Sequence, residues 1–121
     1  MKLQVFGYPK DKKIIELQGV DYEDYYMDID GNAYSTKKDS IYKLKKQIQS
    51  KGYECVEIEG RIRLIQRLMG NAFLGLDLNS KLQMNHINKC KTDNRLINLE
   101  VVTAKQNMRH AHGHKDYKEV K

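Results

Sequence analysis

The chain has 121 residues, enough for one domain with a modest core and too few for two independent ones. Apolar residues make up 40%, and eight tyrosines with two phenylalanines supply bulky packing material, so the composition argues against a disordered chain. The net charge of +6 is uneven: residues 1–60 carry ten lysines against eleven acids, whereas residues 61–121 carry twelve Lys or Arg against five and own all five arginines. A basic half of this kind suits a polyanion, because Lys and Arg release counterions condensed on phosphates.

No run approaches the roughly 18 apolar residues of a membrane span. The N-terminal "MKLQVFGYPKDKK" has too short an apolar stretch for a secretory signal, so a cytoplasmic location and no membrane partner are expected. Cys55 and Cys90 lie far apart without a CxxC partner, which speaks against a Cys-ligated zinc and for two reduced thiols.

The first third reads as short strands. "LQVFG" and "IIELQG" flank "YPKDKK" as a candidate hairpin, and "YYMDIDGNAYST" places Asp30-Gly31 between two Tyr-rich arms, a strong hairpin signal. Lys37 to Lys51 holds six lysines and one acid, the pattern of a solvated edge strand or of a phosphate-facing strip. From Gly52, Val56 and Ile58 alternate with Glu57 and Glu59, Gly60 turns the chain, and Ile62 and Leu64 alternate with Arg61 and Arg63, predicting a half-buried hairpin. The period then changes. Leu64, Ile65, Leu68, Met69, Ala72 and Phe73 recur at helical spacing and predict an amphipathic helix over 64–74, with Arg67 off its apolar stripe.

After "LDLNSK" come a short strand ending near "MNHIN", a polar excursion "NKCKTDNR", a second strand "LINLEVV" and a final helix. Thr103 and Gln106 have the spacing of a capping box, and Gly113 is placed to end that helix. A histidine on the first strand, with an Asn and a His on the helix, frames one metal ion and one phosphodiester. Imidazole is the side chain best suited to general-base work near neutral pH, which makes His86 the candidate base, and Asn85 and Asn107 offer hard oxygens to a divalent cation.

The segment "NHINKCKTDNRLINLEVVTAKQNMRHA" resembles the HNH endonucleases, specifically the phage-type homing enzymes with a ββα-metal site. "GYECVEIEGRIRLIQRLMGNAF" is similar to that family's strand pair and helix, and "YYMDIDGNAYST" to its N-terminal sheet, so the likeness covers about residues 20–111. It implies an α+β fold: an N-terminal antiparallel sheet with an amphipathic helix over 1–75, an HNH ββα-metal motif over 76–114, and a charged tail over 115–121, together one compact unit. It also implies a metal-dependent endonuclease that nicks or cleaves double-stranded DNA. His86 would be the general base, Asn85 and Asn107 would hold Mg²⁺ or Mn²⁺ ahead of Zn²⁺ or Ni²⁺, Asn98 would brace the loop, and His110 would reach or support the site.

His112 points about 200° from His110 on an ideal helix and His114 lies past Gly113, so both read as tail residues. A three-histidine zinc site from His86, His110 and His114 is the rival arrangement. Lys43, Lys45, Arg61, Arg63, Arg67, Arg95 and Arg109 are the candidate DNA contacts. The chain departs from the family pattern in having Asn85 where relatives often have Asp, and Gln66 in place of a helix His. "KDYKEVK" follows where many relatives carry a further DNA-binding module, from which low sequence specificity, or specificity borrowed from a partner, is expected. A double-strand break would need a homodimer, a partner protein or two visits. The alternative function is a DNA-binding module on a catalytically weakened HNH fold.

Overall fold

A computed structural model describes residues 14–19, 22–38 and 40–119. The first sheet takes β1 (Ile14–Glu16), β2 (Tyr25–Asp28), β3 (Ala33–Ser35) and β4 (Tyr42–Lys43), antiparallel in that order. The Asp30-Gly31 turn joins β2 to β3 as predicted, with Gly31 at φ +85 and the Asp28 N–H donating to the Asn32 carbonyl at 3.0 Å. Inside this turn the Asp28 carboxylate accepts from the N–H groups of Asp30 and Asn32, the Asn32 amide and the Tyr34 hydroxyl, at 2.8 to 3.1 Å. Burial alone would raise its pKa, but these donors together outweigh burial and hold the group below the usual carboxylate value. The hairpin expected across "YPKDKK" lies outside the described residues, and β1 pairs with β2.

The second sheet takes β5 (Gln47–Ile48), β6 (Glu54–Ile58) and β7 (Arg61–Leu64). The lysine-rich stretch thus supplies β4 and β5, each at the edge of its sheet. Glu59 and Gly60, at φ +50 and +78, form the two-residue turn between β6 and β7. That turn fixes a register in which core-facing Val56 and Ile58 lie opposite Arg63 and Arg61, while Ile62 lies opposite Glu57. Ile62 is consequently 54% exposed, against the burial its alternation predicts.

Helix α1 (Ile65–Leu74) follows β7 without a loop and touches β1, β2 and β6 to β9. Ile65, Leu68 and Met69 are fully buried, each contributing about 1.5–3 kcal/mol of apolar transfer. Gly70 sits in mid-helix because a Cβ there would meet the Met84 sulfur at 2.6 Å. Gly75, at φ +71, ends the helix.

The last unit is a hairpin of β8 (Gln83–His86) and β9 (Leu99–Val102), followed by α2 (Ala104–Ala111). The strand expected from Leu96 begins only at Leu99. Residues Leu96–Asn98 form a 3₁₀ turn instead, and the Leu96 N–H donates to the Ile29 carbonyl at 2.8 Å, docking the β2–β3 turn on this loop. Thr103 and Gln106 make both bonds of the capping box. At the other end the Gly113 and His114 N–H groups donate to the His110 and Arg109 carbonyls, the Schellman arrangement, with Gly113 at φ +82. The expected α+β architecture is the one observed.

Candidate active site

His86 ends β8 at 6% exposure, and its Nε2 lies 2.7 Å from Asn94 Oδ1. An amide oxygen only accepts, so Nε2 carries the proton and the Nδ1 lone pair is the ring's acceptor. Tyr53 stacks beside the ring at 5.9 Å. Asn94, 2% exposed, donates its Nδ2 to Glu54 Oε1 at 2.9 Å, and Lys46 Nζ lies 3.7 Å from the same oxygen. The β2–β3 turn approaches the Asn94 backbone so closely that a Cβ at Gly31 would fall 2.8 Å from the Asn94 carbonyl oxygen. Sequence reasoning missed Asn94. The available signal was a second Asn in "TDNRLIN", four residues before Asn98.

Asn85, 5% exposed, directs its Nδ2 at Glu100 Oε1, 3.4 Å away across the hairpin. Asn107, on α2, donates its Nδ2 to Gln83 Oε1 at 2.8 Å. Both amides are thus held by their nitrogen end, and each keeps an oxygen for another partner. Asn85, His86, Asn107 and His110 line one cleft of about 390 Å³, with Lys89 and Lys91 also on its wall. Neutral, hard amide oxygens suit Mg²⁺ or Mn²⁺ and leave most of the anionic charge to a phosphate ligand. Among the described residues no three His, Cys, Asp or Glu side chains gather as metal ligands, so the three-histidine zinc arrangement gains no support. His112 and His114 are exposed.

Asn98 accepts the Asn88 N–H at 3.0 Å and donates to Asn88 Oδ1 and the Asp93 carbonyl at 2.9 and 2.8 Å. These bonds close the loop between β8 and β9 on itself. His110 donates from Nε2 to the Ile87 carbonyl at 3.2 Å, and its ring packs edge-to-face with that of Tyr117, the centroids 4.4 Å apart. The segment read as a charged tail therefore folds back on α2, with Tyr117–Glu119 forming a 3₁₀ turn.

The expected DNA contacts divide. Lys43, Lys45 and Arg61 are exposed. Arg63 is half-buried over the Tyr22 ring at 5.6 Å. Arg67 spends its guanidinium on the carbonyls of Leu78, Ser80 and Leu82 at 2.6 to 3.1 Å, which gives it the work of holding the α1–β8 loop. Arg95 grips Asp93 with two bonds of 2.8 Å, and Arg109 reaches Asp116 at 3.2 Å. Gln66 is buried and faces the interior. Lys89 and Lys91, unassigned from sequence, stand closest to the chemistry, with Lys91 Nζ over the Tyr53 ring at 5.0 Å and bonded to the Lys51 carbonyl.

An antiparallel hairpin followed by a capped helix, with a histidine ending the first strand and an Asn on the helix, has the ββα form of a nuclease module. Residues 63–109 match the family model of the HNH endonucleases. An uncharacterised HNH endonuclease of Acanthamoeba polyphaga mimivirus is 35% identical over 105 residues, which cover 82% of this chain and 25% of that protein. A solved structure of the HNH homing endonuclease I-HmuI, describing DNA binding and cleavage, aligns with TM-score 0.65 and 25% identity over 86% of this chain and 61% of that one. Residues 63–109 thus carry a likeness to the HNH endonucleases, and the chain spans 25% of the mimivirus protein and 61% of the I-HmuI chain. Among the described residues no helix is long and apolar enough to cross a membrane.

Proposed function

We propose that this protein is a metal-dependent DNA endonuclease of phage-encoded or homing type that hydrolyses one phosphodiester of duplex DNA per active site. The observation that carries the reading is the cleft itself, where a histidine with an assigned free lone pair stands beside two amides anchored by their nitrogens. His86 Nδ1 takes a proton from water as its oxygen attacks phosphorus and the bond to the 3′ oxygen breaks; that oxygen takes a proton from solvent water, leaving a 5′-phosphate and a 3′-hydroxyl. Asn94, polarised by Glu54, orients the ring and supports the positive charge it acquires.

The Oδ1 atoms of Asn85 and Asn107 would hold Mg²⁺ or Mn²⁺, which would supply charge stabilisation to the scissile phosphate and its leaving oxygen. Asn98 keeps the loop closed so that Asn94 stays under His86, and His110 ties the start of that loop to α2. Lys89 and Lys91 at the cleft, with Lys43, Lys45 and Arg61 beyond it, meet phosphates. One site per chain makes nicking the basal reaction, and a double-strand break requires a second copy, a partner or a second visit.

The neutral Asn85/Asn107 pair favours one alternative, a DNA-binding module with weakened catalysis. Conversion of supercoiled plasmid separates the two. Nicked circles formed with Mn²⁺ or Mg²⁺ and absent with EDTA are expected; salt-dependent binding without any conversion would leave only the module.

A further inference from the structure

Asn85 and Asn107 are both uncharged, yet a carboxylate stands directly behind one of them. We infer that Glu100, clamped by Tyr117, is a positioning residue that supplies the metal site with negative charge through the Asn85 amide. The inference rests on the metal-binding reading above.

The hairpin register sets Asn85 opposite Glu100, so the two side chains share a face, and Glu100 Oε1 lies 3.4 Å from Asn85 Nδ2. Glu100 is only 9% exposed, and a carboxylate is seldom buried so far without partners. Its partners come from the C-terminal segment: the Tyr117 hydroxyl donates to its two oxygens at 2.6 and 3.1 Å, and Lys118 Nζ lies 3.4 Å away. Burial, reinforced by Glu100, pushes the Tyr117 phenol up to about 12, so it stays a donor throughout the neutral range. The segment is fastened independently, by Gln106 Nε2 on the Lys118 carbonyl at 2.9 Å and by Arg109 on Asp116 at 3.2 Å.

The consequence is electronic as well as geometric. A carboxylate drawing on the Nδ2–H of an amide fixes which end faces away, and it raises electron density on Oδ1, the atom that would meet the cation. Glu100 thereby restores, one bond removed, charge that an Asp at position 85 would have given directly. Tyr117 also packs its ring edge-to-face with His110, so one residue outside the ββα motif supports two residues of the cleft.

The test is Mn²⁺ titration of the full chain without DNA, followed by the loss of the free-ion EPR signal. Glu100→Gln is expected to weaken Mn²⁺ binding about 10–100-fold, and Tyr117→Phe, which removes one hydroxyl, by a smaller factor of up to about 10. Asn85→Ala is the reference. If Asn85→Ala weakens binding and both other variants bind as the wild type does, the role of Glu100 is overturned. If Asn85→Ala itself binds unchanged, or the wild type shows no saturable Mn²⁺ site, the metal-ligand reading falls and this inference with it. Should Glu100→Gln fail to fold, Tyr117→Phe decides alone, and wild-type affinity in it overturns the proposal.

Discussion

His86 and Asn85 are neighbours on one strand, yet their supports come from opposite parts of the chain. His86 is held from upstream, through Asn94 to Glu54 in the second sheet, with the Gly31 turn of the first sheet packed close on the Asn94 backbone. Asn85 is held from downstream, through Glu100 to Tyr117 beyond α2. The difference teaches that the ββα motif alone does not orient His86 and Asn85, the proposed base and the proposed metal ligand. A two-stranded hairpin is marginal in isolation, and here each side borrows rigidity from an element outside the motif.

The comparison breaks most visibly at the base. His86→Ala should lose about 10²–10⁴ in single-turnover nicking rate while still binding DNA in EDTA, as a gel-shift measurement would show. Asn94→Ala should cost about 10–100-fold in kcat with little change in KM, since it disturbs ring orientation and not DNA contact. Long-range ¹H–¹⁵N spectra should then show His86 losing its single Nε2–H form. Retention of that form in the variant would remove Asn94 from the account.

Two smaller effects sharpen the upstream side. Gly31→Ala forces a side chain into a left-handed position and against the Asn94 backbone, and should cost about 1–3 kcal/mol in urea unfolding. The same variant should slow nicking more than it alters Mn²⁺ affinity, because the strain falls on the His86 support. Smallest is the effect of acid. Asp28 has a lowered folded pKa, so its contribution is present above the ordinary carboxylate range and is lost as pH falls through the lowered value. Asp28→Asn should therefore flatten the acid side of a stability-against-pH curve, measured by thermal melts, and an unchanged curve would contradict the turn's role.

The motif residues were legible in sequence because their types recur at fixed spacings along one short stretch. The Thr103 cap needed only local spacing and α1 only its period, whereas the roles proposed for His86, Asn85 and Asn107 rested on the likeness to the HNH endonucleases. The supports were not legible. Glu54 lies 40 residues from Asn94 and Tyr117 lies 17 from Glu100, and no local rule joins such pairs before the register is known. Arg67 shows the same limit from the other direction: a cation off the apolar stripe reads as a surface contact until the carbonyls that claim it are in view. Ile62 failed because a two-residue turn, and not hydrophobic alternation, fixed its register.

The most direct test of the central claim is chemical rescue of His86→Gly by imidazole in the plasmid assay with Mn²⁺. Almost no nicking is expected from the variant alone, with a rate that rises with imidazole concentration because a free base fills the vacated position. Nicking by the unsupplemented variant at the wild-type rate would contradict the assignment of His86 as the base.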